Sequence, residues 1–290
     1  MKYIFITDSS CDLTQKQVDE IGVDVLPMEF EINEHSYQHY PDCRMMDLDE
    51  FYGLVKKGAM PKTTQINYLK FKNFFEPYLK AGKDIIYTGI STGLSGTYNT
   101  CLIAVKELEE EYPDRKIIAI DSRCDSAGLG LLVYMAGKKY KEGASIDELA
   151  DYIHATRDDL AHWFVVEDLD MLKRGGRISS VTATFGKALQ IKPLISVDET
   201  GKLINVGKIR GKSNIISTLV KHVERDAIEP KKNIAFVAHA DNPEGAKELR
   251  KAVKGMFKEV QICDIGPVIG SHVGSGMLAI IFVGKRNLMP

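Results

Sequence analysis

Seven consecutive positions carry the densest chemistry in the chain: Ser91, Thr92, Gly93, Leu94, Ser95, Gly96 and Thr97. They follow a short apolar run, Ile85-Ile86-Tyr87, that reads as a buried strand. They precede Tyr98, Leu102, Val105 and Leu108, which are spaced for a helix. Strand, hydroxyl-rich turn and helix together offer unpaired backbone N–H groups and small hydroxyls at a helix N-terminus, an arrangement that favours anionic oxygens. The same residues also suit an ordinary βα turn with Ser or Thr as the helix cap. Ser95 does not complete a nucleophile elbow: the required G-x-S-x-G has Thr97 where its last glycine belongs. Nor is the turn a phosphate loop of the G-x-x-x-x-G-K-[ST] kind, because no lysine follows Gly96. Two further candidates stand apart. Arg174-Gly175-Gly176-Arg177 can clamp an anion bidentately or simply separate two helices. His272, among Gly270, Gly274 and Gly276, lies where the backbone can approach a ligand, although a lone histidine beside a strand is more often structural. A stand-alone hydrolase or phosphotransferase using Ser95 with His272 is the alternative that these residues leave open.

The elements that position these groups follow an α/β rhythm. Tyr3 to Ile6 reads as a first strand ending in Thr7-Asp8-Ser9-Ser10, and Lys116 to Ile120 as another ending in Asp121-Ser122. With Ile85 to Tyr87, three strands end in Asp or Ser/Thr clusters, each followed by a helix, which places polar groups along one edge of a mostly parallel sheet. Val23 to Ile32 reads as one strand, His35 to Met46 as a polar surface loop, and Pro61 to Gln65 as a turn. His35, His39 and Cys43 in that loop match no zinc spacing. Asp125 to Lys141 forms an unusually apolar helix, and Arg177 to Gln190 a Thr/Ala-rich one. Beyond Ala161 the pattern becomes mixed, with a hairpin at Pro193–Val197 and Leu203–Lys208 and a Gly-rich stretch at 270–276. We expect an α/β protein of two domains, residues 1–160 forming an N-terminal α/β/α unit with hydroxyl-rich loops and 161–290 a C-terminal α+β unit.

Bulk composition excludes several classes. With 38 Lys plus Arg against 40 Asp plus Glu, no field favours nucleic acid. Five scattered cysteines without C-x-x-C pairs suit reduced thiols. The run from Met277 to Val283 is far short of the ~20 residues that span a bilayer. A cytoplasmic protein is expected, without a stable membrane anchor.

The motifs TDSSCDL, PKTTQ, ISTGLSGTYNT, IDS, LKRGGRIS and GSHVGSG fall along the whole chain in the order of the DegV family, which this sequence resembles. The STGLSGTY and RGGRI segments are the specific ones. Thr64 and Ile66 stand where Ser and Pro are common in that family, Pro41-Asp42-Cys43 replaces a more usual Asp-Gly, and Ser275 replaces a frequent Pro. The resemblance implies a bacterial protein that binds one long-chain fatty acid in a tunnel between its domains. It places the carboxylate at Thr63, Thr64 and Ser95, with His272 nearby. It implies a lipid carrier that is not itself an enzyme. A separate fatty acid kinase subunit would bring ATP and metal, and this chain would carry the acyl phosphate and touch the membrane only transiently. Arg174, Arg177 and Arg210 become candidates for meeting the phosphate or the kinase. Phe164, Phe185 and Ile269 are apolar residues near the motifs that a tunnel could recruit, with core packing as their plainer role.

Overall fold

The computed structural model describes residues 2–167, 169–178 and 191–286. Four strands, β1 (Tyr3–Asp8), β2 (Asp24–Leu26), β6 (Asp84–Gly89) and β7 (Ile117–Asp121), make a parallel sheet in the order β2-β1-β6-β7. The near-continuous apolar character of the central pair, β1 and β6, follows from burial on both faces. Helices α1 (Gln15–Ile21), α3 (Tyr68–Lys80), α4 (Thr97–Glu111), α5 (Ser126–Lys141) and α6 (Ile146–Arg157) accompany this sheet. Local signals set several ends. Thr14 and Gln17 form a capping box at α1, Gly22 closes that helix in the left-handed conformation, and Ser145 with Glu148 repeats the capping box at α6.

A second sheet follows, in the order β10-β9-β8-β13-β11-β12. It comprises β8 (Leu160–Val165), β9 (Ile191–Val197), β10 (Leu203–Arg210), β11 (Ile234–His239), β12 (Glu259–Asp264) and β13 (Leu278–Val283). Only the β11–β12 pair among these is parallel, so this half is mixed, and β9–β10 form the expected hairpin. Helix α5 touches β1 on one side and β8, β11 and β13 on the other, which places it between the two sheets. That position explains its composition: Leu129, Leu131, Leu132, Val133 and Ala136 are all fully buried. One apolar cluster consequently runs from Phe5 and Ile86 to Phe236 and Ile281 across both halves.

Three local readings need correction. The stretch Val23 to Ile32 is two strands, β2 and β3 (Met28–Ile32), separated by Pro27, which cannot donate to a ladder. Part of the expected loop is strand β4 (His35–His39), and part of the expected 61–65 turn is strand β5 (Lys62–Thr64); both pair antiparallel with β3 in a small third sheet. The glycine-rich stretch near His272, left unassigned above, begins inside a helix. Pro267 opens helix α10 (Pro267–Val273) and Gly274 closes it. All but the first two residues of the helix expected at 177–190, Phe185 among them, lie outside the described residues.

Candidate functional site

The hydroxyl-rich loop between β6 and α4 is held from several sides. Ile90 N–H donates to the Asp8 carboxylate (3.1 Å), Ser91 N–H to the Cys124 carbonyl (3.0 Å), and Thr92 N–H and O–H to Asp121 (3.2 and 2.6 Å). Gly96 occupies the cap position of α4 without a side-chain cap, and Ser95 Oγ instead accepts from Thr97 N–H at 3.2 Å while sharing a 2.9 Å hydrogen bond with Thr97 Oγ1. The first turn of α4 then grips the segment after β5. Thr97 Oγ1 accepts from Ile66 N–H (3.3 Å), and Thr100 O–H donates to the Ile66 carbonyl (2.6 Å). These bonds carry Thr63 to the same place as Ser95 from about thirty residues earlier.

Thr63 Oγ1 and His272 Nε2 are hydrogen-bonded at 2.8 Å, linking β5 to α10. Helix α7 (Asp170–Arg174) and the turn after it close the third side. A side chain at Gly175 would collide with the His272 ring, so only a glycine there lets the turn approach so closely. Burial first, and then the charges of Arg177 and Arg174, hold the His272 imidazole down to about 4, so it is neutral at neutral pH. Its Nδ1 is buried without a partner among the described residues. Arg177 is half-buried; its Nε donates to the Leu94 carbonyl at 3.0 Å and its Nη1 to the Gly175 carbonyl.

Thr63, Ser95, Arg177, His272, Gln65 and Asp125 are the polar groups around a cavity whose remaining lining is apolar, including Met28, Leu94, Leu172, Leu203 and Ile269. The lining comes from both halves of the chain. The space left among these residues is about 40 Å³, room for a water or two. Ligand pockets commonly run to roughly 300–1,000 Å³, so a long tail enters only by displacing lining side chains.

The structure does not bring every sequence candidate here. Thr64 is exposed and pairs with Glu29, and the alternation of strand β5 turns it away from the face that Thr63 presents. Arg174 is exposed beside the site. Arg210 lines a separate groove of about 660 Å³ with Lys208, Lys221 and His222. Of the apolar candidates, Ile269 lines the cavity, whereas Phe164 is buried in the core. Gln65, Asp125 and Leu203 escaped the sequence reading; strand alternation from Thr63 would have found Gln65, while Asp125 and Leu203 carry no local signal. Among the described residues, Ser95 makes no hydrogen bond to His272, so the pairing a serine nucleophile needs from its base is absent.

Residues 2–285 match the model of a family described as uncharacterised DegV proteins. A DegV domain-containing protein of Clostridium perfringens is 39% identical over 288 residues, 99% of this chain and 99% of its own length. A lipid-binding DegV protein from Thermotoga maritima superposes with a TM-score of 0.85 at 26% identity, covering 99% of this chain and 100% of the other. A DegV-family protein from Thermus thermophilus, described for its fatty acid binding, gives a TM-score of 0.87 at 27% identity, covering 98% and 100%. No helix among the described residues is long and apolar enough to cross a membrane.

Proposed function

The chain belongs to the DegV family, and on that premise we propose that it binds one long-chain fatty acid and presents the carboxylate to a separate kinase subunit. The observation that carries this reading is the 2.8 Å Thr63–His272 pair, which stands with Ser95 at one rim of an apolar cavity. Burying methylenes contributes about 0.8 kcal/mol each, so a tail of about sixteen carbons supplies roughly 12 kcal/mol before costs. That is the scale of nanomolar binding, about −12 kcal/mol. Affinity therefore does not require a cation at the head.

The head group supports the same division of labour. Thr63 and Ser95 offer neutral hydroxyls, and His272 is held neutral by burial and by its arginine neighbours. Such groups orient a carboxylate without quenching its nucleophilicity by an ion pair. One carboxylate oxygen attacks the γ-phosphorus of ATP, and an acyl O–P bond forms as the bond from that phosphorus to the β,γ-bridging oxygen breaks. ADP leaves with the electron pair. ATP and its metal sit on the partner, and this chain then carries the acyl phosphate. Arg174, Arg177 and Arg210 are the candidates for meeting the new phosphate or the kinase surface, and Arg177, which lines the cavity, is the one nearest the acid's head.

The test is acyl-phosphate formation in a reconstituted assay with a bacterial fatty acid kinase subunit. We expect Thr63→Ala combined with Ser95→Ala to remain folded, to retain the lipid and to lose turnover. Normal turnover of that double variant would overturn the head-group assignment.

A further inference from the structure

One acidic side chain interrupts the apolar wall of the cavity. Asp125, the residue preceding α5, is the single carboxylate among the described lining residues. It occupies the cap position of the helix but makes no capping bond. Its Oδ1 instead accepts from His162 Nδ1 at 3.0 Å, and its Oδ2 has no partner among the described residues. His162 stands on β8, in the other half of the chain, and is only 2% exposed. Burial favours its neutral form, so Nδ1–H donates to the carboxylate, and Nε2 is left buried without a partner among the described residues.

The surroundings are built to hold this pair. A side chain at Gly128 would overlap the His162 ring, so the first turn of α5 has to be bare where the imidazole crosses it. Arg123 (φ 52°) and Ser126 (φ 43°) both take the left-handed conformation that non-glycine residues avoid, and they flank Asp125 at close range. Strained backbone of this kind persists where surrounding contacts over-determine it. The Cys124 carbonyl accepts from Ser91 N–H at 3.0 Å, which ties the same segment to the head-group loop.

We propose that Asp125, positioned by His162, is a specificity-determining residue of this cavity: its open carboxylate oxygen accepts a hydrogen bond from a hydroxyl on the ligand's hydrocarbon chain, so that a hydroxylated long-chain acid is preferred to the plain acid. This rests on the fatty-acid reading of the site. Laying methylenes over Asp125 strips its carboxylate of water and returns nothing, whereas a hydroxyl restores the lost hydrogen bond. Sites built to hydrogen-bond a ligand hydroxyl discriminate strongly against the analogue that lacks it. The same charge repels a second carboxylate, which keeps the ligand's head beside Thr63 and His272.

The experiment is competitive binding to the delipidated full-length chain. The competitors are long-chain acids of one length carrying a hydroxyl at successive positions, set against the saturated parent. At least one positional isomer is expected to bind about tenfold or more tightly than the parent. Asp125→Leu should abolish or invert that ratio while still binding the parent, and Asp125→Asn, which keeps an acceptor, should retain part of it. If the parent binds but no isomer outcompetes it, or if Asp125→Leu leaves the ratio unchanged, this inference is overturned and the fatty-acid reading stands. If no acid binds at all, both fail. Thermal unfolding monitors the variants, and should Asp125→Leu not fold, the ratio in Asp125→Asn decides.

Discussion

Two adjacent parallel strands end in hydroxyl-rich clusters, and the structure uses them in opposite ways. After β1, the cluster turns inward. Asp8 is fully buried, and its carboxylate accepts from Ser10 N–H (3.0 Å), Ser10 O–H, Tyr87 O–H (2.8 Å) and Ile90 N–H (3.1 Å). Ser9 Oγ accepts from Met28 N–H at 2.9 Å, and Asp12 accepts from Ser126 O–H and Gly266 N–H. Burial pushes Asp8 upward and Asp12 up to about 8. After β6, Ser95 stays half-exposed at a cavity, and Thr63 and His272 join it from distant parts of the chain. The residue types are alike; what differs is where the hydrogen bonds go. A cluster whose groups are spent on one another is a latch, and one with capacity left over is a seat for a ligand. The latch also serves the seat, since Asp8 fixes Ile90 at the start of the site loop.

Substitutions should separate the two roles. Asp8→Leu leaves several buried donors unpaired and is expected to cost about 3 kcal/mol or more in urea unfolding. A loss of lipid phosphorylation without such a loss of stability would break the contrast from the latch side. Thr63→Val keeps shape but removes the hydroxyl. It should lower acyl-phosphate formation by about 100-fold with stability changed by less than ~1 kcal/mol, read from turnover and unfolding on the same preparation. Gly175→Ala pushes the His272 ring away from Thr63. A decrease of about tenfold in turnover and ~1 kcal/mol in stability is expected, and an unchanged turnover would remove His272 from the site.

The smallest effect is in pH. His272 is held at about 4, whereas an unfolded imidazole titrates near 6.5. Between those values the unfolded chain binds the extra proton, so the stability contributed at this position falls as pH falls from about 6.5 to 4 and is constant above. Because His39 and His222 are also depressed and Asp12 is raised, the quantity to follow is the difference between the wild type and His272→Gln. That difference should decline across the window; a flat difference would mean that His272 is not buried neutral.

Much of this was legible in the sequence, and the failures have physical reasons. The βα rhythm and the 193–208 hairpin come from local patterns that the fold leaves in place. Strand β4 was hidden because His35, Ser36 and Gln38 offer no apolar face; it exists through backbone pairing with β3 at the edge of a small sheet. Reading 61–65 as a turn kept Thr63 and Thr64 equivalent, and only strand alternation separates them. Helix α10 carries its own signals, Pro267 at the start and Gly274 at the end, but the glycines around His272 mask its short apolar face. Thr63, Ser95 and His272 were each found as residue types, yet their meeting depends on Ile66 being clasped by Thr97 and Thr100, a long-range contact no short window contains. In the sequence Asp125 reads only as a helix start, since nothing nearby announces His162.

The central claim is the place of the carboxylate, and a crystal structure of the chain with one long-chain fatty acid measures it directly. The acid's head is expected within hydrogen-bond distance of Thr63, Ser95 and His272, with the tail running along Leu94, Leu172 and Ile269 in an enlarged cavity. A carboxylate seated in the groove beside Arg210, or a tail that leaves this cavity closed, would contradict the account.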